Sequence, residues 1–562
     1  MCGSSRRASR YVGRADLEHT DVTLRVRLGT GSQVLTLHDR VLYVASMTGG
    51  KSGITIGSDV ATSTGVTGLS ILGIALLLGI GGDVLLHGTA WGLNFAVWVA
   101  TLIAQAAALG RDHTPERSRR GRWLLLLALG FALCLAWRDN TFLLTRDVLA
   151  VMAALALPLL RAWDVRMVTA RMMDFAAALA TTLAHLAFGS LFLLSQDVRW
   201  NDLRREETSR RIGGVLAGLL LAVPILIVFG SLFASADPVF GGLVEDLLAW
   251  NPFGPTFSHI LVAGLLASVA AGFLRSQLLS RRLWAPGAAR EPRPSAGIVT
   301  LGIALSALIL VFVLFVAVQA RYLFAGGAYV RVATGLTLAE YARQGFFELV
   351  AAAALTVPVL YGAEWLLDST DPKAVRSFRA LGVVQMLLVG LVVLSALQRM
   401  RLYTAAYGLT EDRLFGAVFM LWIAFVLVWF GLTVLRGRRE RFAFGAVVTG
   451  FATLGALNLM NPDGVVVRVN VGRTPAAGRF DGGYLATLSA DAVPALVARL
   501  ASLPAEQRCD VARRLAQRGD RDAVRDWRSW SVARHRAQRA LRRLDLVRLR
   551  CSGSARASAS AG

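Results

Sequence analysis

A chain of 562 residues that is 55% hydrophobic, with positive mean hydropathy, is more apolar than the roughly 45–50% of ordinary soluble domains, which excludes a single water-soluble globule. Its formal charge of +23 is almost all arginine, since Lys51 and Lys373 are the only lysines. Most of the arginines fall in short stretches between apolar runs, which fits loop arginine under the positive-inside rule and leaves no nucleic-acid partner expected.

Residues 1–65 are polar and rich in Gly, Ser and Thr. Val22-Thr23-Leu24-Arg25-Val26-Arg27-Leu28 and Val34-Leu35-Thr36-Leu37 suit a hairpin around Gly29-Thr30-Gly31. A disordered or mis-annotated leader is the alternative, because nothing following would cover such a sheet. The first apolar run begins only near Val66, so no cleavable signal peptide is read. The four cysteines, Cys2, Cys134, Cys509 and Cys551, have neither metal-ligand nor disulfide-framework spacing.

Membrane-length windows follow at 67–86, 91–109, 122–137, 142–160, 174–195, 212–233, 257–275, 297–319, 346–367, 379–397, 414–435 and 442–460. Each is close to the length a helix needs to cross a bilayer core of ~30 Å at 1.5 Å per residue. The expected fold is an all-α polytopic bundle of eleven or twelve spans over residues 66–462. Loop charge divides these two counts. Basic turns before the fifth window place the N-terminus inside, but those at Arg199–Arg211, Arg275–Arg293, Lys373–Arg379 and Arg436–Arg441 then fall on the wrong side. Eleven crossings restore the rule and put the C-terminus outside, with one of 142–160 and 174–195 expected not to cross. The stretches after the sixth and eighth windows, 233–253 and 322–347, read as interfacial helices.

Ionisable groups near a membrane are costly, so each is a site candidate. Glu340, Tyr341, Arg343 and Glu348 gather at the mouth of the ninth window, with Glu364 near its far end. Glu340 and Arg343 are spaced to pair on one helical face. Such acids could carry protons, or form a salt-bridge cluster that snorkels to water and sets helix depth. Tyr407-Gly408-Leu409-Thr410-Glu411-Asp412-Arg413 precedes the eleventh window, with Thr410 placed to cap a helix and Glu411 and Asp412 to meet its dipole. As a binding element this run would instead pair its acids with Arg401 or Arg343. Asn461-Pro462-Asp463 is expected to stop the last span. Asp237-Pro238 reads as an Asx turn, and His185 as a lone core histidine. Asp83 and His87, four apart, could share a face, but two groups do not make a metal site.

From Asp463 onward the chain carries 19 Arg against 9 Asp plus Glu, read as a basic helical tail over 463–551 followed by a disordered end at 552–562. Ser489-Ala490-Asp491-Ala492-Val493-Pro494 reads as a helix start, and a second basic helix is expected from about Ser531 to Arg550. Arg525, Trp527, Arg528 and Trp530 mix aromatic and basic character, as suits contact with anionic lipid or with a protein partner. No phosphate-binding loop, nucleophile elbow or Cys/His metal pattern is present, so no cofactor and no soluble-type enzyme chemistry is implied.

Five stretches, 233–240, 336–348, 407–413, 457–470 and 484–496, together with Asp526-Trp527-Arg528-Ser529-Trp530, resemble an uncharacterised family of bacterial multi-pass membrane proteins. That family is domain of unknown function 4173, related to domain of unknown function 4153. The similarity spans roughly residues 70–550 and implies a membrane bundle with a short helical tail, in a bacterial inner membrane. It implies no catalytic residue and no ligand. The expected function is a non-enzymatic membrane scaffold or sensor component, the alternative being a proton-coupled transporter built on the acids around the ninth window.

Overall fold

The structure is a computed structural model that describes residues 22–56 apart from the turns between strands, 59–113, 121–163, 165–194, a few residues within 230–243, 255–279, 297–324, 346–367, 371–473, 481–521 and 526–544. The chain divides into two compact units, residues 1–73 with 191–225, and residues 74–190 with 226–562. The first contains an antiparallel meander in the order β1-β2-β3-β4: β1 (Val22–Leu28), β2 (Gly31–His38), β3 (Val41–Thr48) and β4 (Lys51–Ile56). Val22 pairs Leu37 and Leu28 pairs Gly31, so the hairpin reading gives the right partners for the first two strands. The second pair extends it into a sheet where a disordered leader was the alternative. The expectation of a disordered leader is corrected for the residues in these strands, whose alternating β-branched side chains suit successive antiparallel pairing.

Everything else described is helical, an all-α polytopic bundle. The bundle helices are α1 (Asp59–Leu86), α2 (Leu93–His113), α3 (Leu125–Trp137), α4 (Thr141–Ala162), α5 (Met172–Phe192) and α6 (Pro255–Leu279). They continue with α7 (Ile298–Phe324), α8 (Phe346–Leu366), α9 (Pro372–Tyr407), α10 (Glu411–Thr433) and α11 (Phe442–Met460). Among the described residues nine helices are long and apolar enough to cross a membrane, and two shorter apolar ones are Leu93–Leu109 and Leu125–Trp137. The window at 212–233 lies outside the described residues apart from Gly230 and Phe233, and Glu340, Tyr341, Arg343 and Arg525 lie outside them too.

Contacts in the second unit fix which helix ends lie together. At one end, Leu93 N–H donates to Trp530 O (3.0 Å), Arg138 meets Asp491 (3.0 Å), and Asn470 bonds Leu409 at both its N–H and its C=O. His259, near the start of α6, lies 2.7 Å from Asp83 at the end of α1. This is the tail end of the bundle. At the far end, Arg439 meets Glu364 (3.5 Å), and Leu301, Ala363, Phe378, Leu435 and Phe442 share one apolar cluster. Residues 167–169, just before α5, pack against 439–441 there, and Ala178 joins Leu124 and Leu160.

α5 therefore rises from the far end toward the tail end, reaching Ser268 through Ser190 (2.7 Å), and α6 starts again from the tail end. The end of α5 and the start of α6 therefore both lie toward the tail end. Both helices expected to supply the exception are full length, Thr141–Leu160 with 20 residues and Met172–Phe192 with 21. That expectation is corrected. Composition alone marked them as weak, whereas packing of α4 on α11 and of α5 on α6 shows two ordinary bundle members.

The tail is a packed domain. Its helices are α12 (Pro462–Gly472), α13 (Gly482–Thr487), α14 (Val493–Ala498), α15 (Ala505–Arg521) and α16 (Val532–Leu541). Val466, Val467, Leu485, Leu496, Val511 and Leu515 form its core, joined by Leu409 from the α9–α10 turn. Each such side chain contributes about 1.5–3 kcal/mol when fully buried. On α15 the spacing Val511, Ala512, Leu515 puts one apolar stripe inward and leaves Arg513 and Arg514 outside.

Candidate functional site

Buried polar side chains concentrate where the tail meets the bundle. The α3–α4 turn, Arg138-Asp139-Asn140, lies at the centre of this junction. Arg138 is 5% exposed; it donates through Nε to Asn458 O (2.6 Å), through Nη2 to Leu459 O (3.3 Å) and through Nη1 to Asp491 Oδ1 (3.0 Å). It thus satisfies carbonyls that α11 leaves open at its C-terminus, where a cation is favoured, and neutralises a tail acid at once. Asp139 donates its N–H to Asp491 Oδ2 (2.7 Å) and accepts from Arg534 Nε (2.7 Å). Asn140 caps α4 by accepting from Leu143 N–H (3.0 Å), and its amide donates both to Glu411 and to Asp463 Oδ1 (2.8 Å).

The same junction explains how 407–413 and 461–463 are built. Gly408 has φ +80°, and the carboxamide of Asn470 packs against it, so the α9–α10 turn has no room for a side chain there. Arg413 covers the carbonyls of Tyr407 (3.3 Å) and Gly408 (2.5 Å) and lies over the Tyr403 ring at 3.9 Å. Thr410 occupies the N-cap position of α10 but makes no side-chain cap; Tyr484 Oη accepts from Glu411 N–H (3.0 Å) instead. Glu411 meets Asn140, not Arg401, and Asp412 is exposed. Asn461 ends α11 in the left-handed region (φ 56°) and at once caps α12 by accepting from Gly464 N–H (3.0 Å). It is a corner between two helices as well as a stop. Asp463 is fully buried and accepts from Ser489.

Outside the spans, burial shifts the acidities of Asp491 and Tyr484, and Asp526 and Arg528 shift each other apart. Burial raises Asp491 above the usual carboxylate range, opposed by Asp139 N–H and Arg138. Tyr484 is pushed up to about 12, first by burial and then by the acids around it.

One acid was not singled out from sequence. Asp147, on α4 about 9 Å in from that helix's start at 1.5 Å per residue, is fully buried. Asn458 donates to its Oδ1 (2.9 Å), while Oδ2 has no hydrogen-bond partner. The signal that could have found it is an aspartate inside an apolar run. The groups expected around α8 are peripheral: Glu348 is exposed at its start, and Glu364 pairs with Arg439 at the far end. His185 is buried but not alone, since Arg275 Nη1 lies 3.3 Å from its Nδ1. Asp237 accepts from Val239 N–H (2.7 Å) and Phe240 N–H (3.1 Å), the geometry of an Asx turn. In the tail, Trp527 is exposed, Arg528 bridges Asp526 and Val84 O, and Trp530 binds Leu93 through its carbonyl.

No curated protein and no solved structure matches the chain. A family model described as "Domain of unknown function (DUF4153)" matches residues 124–498. This is the relative of the family that the motifs resembled, and the match takes in Arg138, Asp147, Glu411, Asn458, Asp463 and Asp491. It covers well over half of the chain, which therefore belongs to the DUF4153 family, of unknown function, and is itself a multi-pass membrane protein by its apolar helices.

Proposed function

We propose that the protein is a non-enzymatic scaffold or sensor component of a bacterial cell membrane, with its C-terminal domain held as a cap on one end of the bundle. The observation that carries this reading is the junction itself. Its acids and arginines are used up in joining two parts of one chain, and Glu348 and Glu364 stay at the rim. Beside the junction a cleft of about 180 Å3 is lined by Trp137, Arg138, Arg468, Asp491 and Arg536. Arg468 and Arg536 are exposed on its border, which suits the headgroup of an anionic lipid. Trp527, exposed elsewhere on the tail, fits the interfacial aromatic belt.

A second reading, proton-coupled transport, is favoured by Asp147 more than by the acids first considered. A buried carboxylate with one oxygen unpartnered is the ordinary starting point of a relay. Proteoliposomes loaded with a pH-reporting dye decide between them. Under an imposed proton gradient and potential, the scaffold reading expects the same leak as protein-free vesicles. A protein-dependent flux that Asp147→Asn abolishes would overturn it.

A further inference from the structure

We propose that Asp83, His87 and His259 form a divalent transition-metal site, with Zn2+ as the cation its ligands suit best. Asp83 lies in the last turn of α1 and His87 follows directly after its end, its N–H still bonded to Asp83 O (2.9 Å), while His259 comes from near the start of α6. His259 Nδ1 is 2.7 Å from Asp83 Oδ2, and His87 Nδ1 is 3.1 Å from Asp83 Oδ1. One ligand atom from each residue falls within 4.8 Å of the others, and the two imidazoles stack with centroids 4.1 Å apart.

Three features separate this cluster from an incidental polar contact. First, Asp83 Oδ1 and His87 Nδ1 are buried and neither makes a hydrogen bond, although they face each other. Two converging lone pairs with no hydrogen aligned between them leave a position for a cation. Second, His87 Nε2 lies 3.4 Å from Ser258 Oγ. A proton on Nε2, donated to that hydroxyl, leaves Nδ1 free to ligate, the usual outer-shell arrangement for a metal-bound histidine. Third, the helices that carry the ligands are locked together. A Cβ on Gly79 would lie 2.5 Å from that of Ala267, and one on Gly82 would lie 2.6 Å from Trp98 Nε1, whose own N–H is held by Leu78 O. Close contact of backbones fixes the separation of Asp83 and His259 without help from the cation.

Two imidazoles and one carboxylate favour zinc and its late first-row neighbours over Mg2+ and Ca2+, which take oxygen ligands. The ligand separations open only slightly to accept bonds of about 2.0–2.2 Å. The His259 side chain is 51% exposed, so a fourth position faces outward, where water or an exogenous ligand can complete a tetrahedron. None of the three lies in the segment matched by the family model.

The test uses the full-length protein in detergent, carrying a purification tag without histidines and stripped with a chelator. Titration with Zn2+ against a chromogenic competitor should show one tight equivalent, with Mg2+ and Ca2+ binding at least about a hundredfold more weakly. Asp83→Asn, His87→Ala and His259→Ala should each abolish that equivalent, and Ser258→Ala should weaken it about tenfold. Each variant must elute as the wild type does and match its metal-free thermal midpoint. If a variant fails that control, zinc-edge absorption of the wild type replaces it, with two imidazoles and no sulfur expected in the first shell. No bound equivalent, an equivalent that survives all three folded variants, or a sulfur-containing shell would overturn the site.

Discussion

Replacing Arg138 with methionine removes the cation that ties α11, the α3–α4 turn and the tail together. The Arg138 and Asp491 side chains are 6% and 3% exposed, so neither can turn to water when the other is lost. Asp491 would keep Asp139 N–H, while Asn458 O and Leu459 O would lose their donor. Breaking a buried pair in this way costs about 3–5 kcal/mol, because the remaining charge is left uncompensated. Against a total stability of about 5–15 kcal/mol that is a large fraction. At 1.4 kcal/mol per factor of ten it raises the open population of the tail by about two to four powers of ten. Limited proteolysis of purified protein reads this directly when opening is fast relative to cleavage. Arg514→Ala serves as the control: it breaks an exposed pair on α15 with Asp510, 54% and 46% exposed, worth about 0–1 kcal/mol. The double variant Arg138→Met with Asp491→Leu should recover most of the loss, since an apolar pair has no charge to strand. If Arg138→Met is cleaved no faster than Arg514→Ala, the junction does not hold the tail.

Asn470 joins the tail to the α9–α10 turn by two bonds of 2.7 Å to Leu409; Asn470→Asp keeps the acceptor, loses the donor, and should lower stability by about 1–3 kcal/mol in chemical unfolding. Tyr484 is raised from 10.0 to about 12, so its stabilising contribution is complete below about pH 10 and is lost as pH rises through about 12. Thermal scans should show that alkaline loss in the wild type, and Tyr484→Phe should flatten it. Asp491 is raised by burial, so the folded state holds its proton more tightly and stability should rise as pH falls toward the unfolded value of 3.8; Asp491→Asn should remove that slope. Cys509 carries a disulfide, so a membrane-impermeant maleimide should label it in intact cells only after reduction.

Hydropathy was legible because it is local: a window of twenty apolar residues reports its own helix whatever it packs against. Eleven of the twelve windows coincide with α1 to α11 for that reason. The junction was not legible, because its partners lie hundreds of positions apart in the chain. Arg138 and Asp491 are separated by 353 residues, and His259 by 176 from Asp83. Sequence placed Asp491 in a helix start, and α14 does begin beside it, with Pro494 in its first turn; nothing local announced that its carboxylate was owed to Arg138. Thr410 shows the opposite error. A residue with ideal capping chemistry was passed over because Tyr484, from the tail, reached the same N–H.

The excess of arginine in the tail looks at first like a reason to place it inside the cell, and the geometry removes that reason. With α5 ending and α6 starting on the tail side, eleven helices connect the two ends, and five of the basic turns, 111–122, 161–171, 275–293, 373–379 and 436–441, join helix ends at the far end; Arg199–Arg211, between α5 and α6, is the exception. The positive-inside rule then sends the far end to the cytoplasm and the tail outward. The rule concerns arginine that must stay in water beside the bilayer, and much of the tail's is not of that kind. Arg534 is spent on Asp139, Arg528 on Asp526 and the α1 carbonyl, Arg473 on the open carbonyls of Thr404 and Ala405, and Arg518 on Leu488. The bundle presents Asp139, Glu411 and Asp412 at that same end, so the tail's charge complements the surface it covers. An alkaline phosphatase fused after Gly562 is therefore expected to be active; an inactive fusion, paired with an active cytoplasmic reporter at the same position, would require that the chain between α5 and α6 change sides after all.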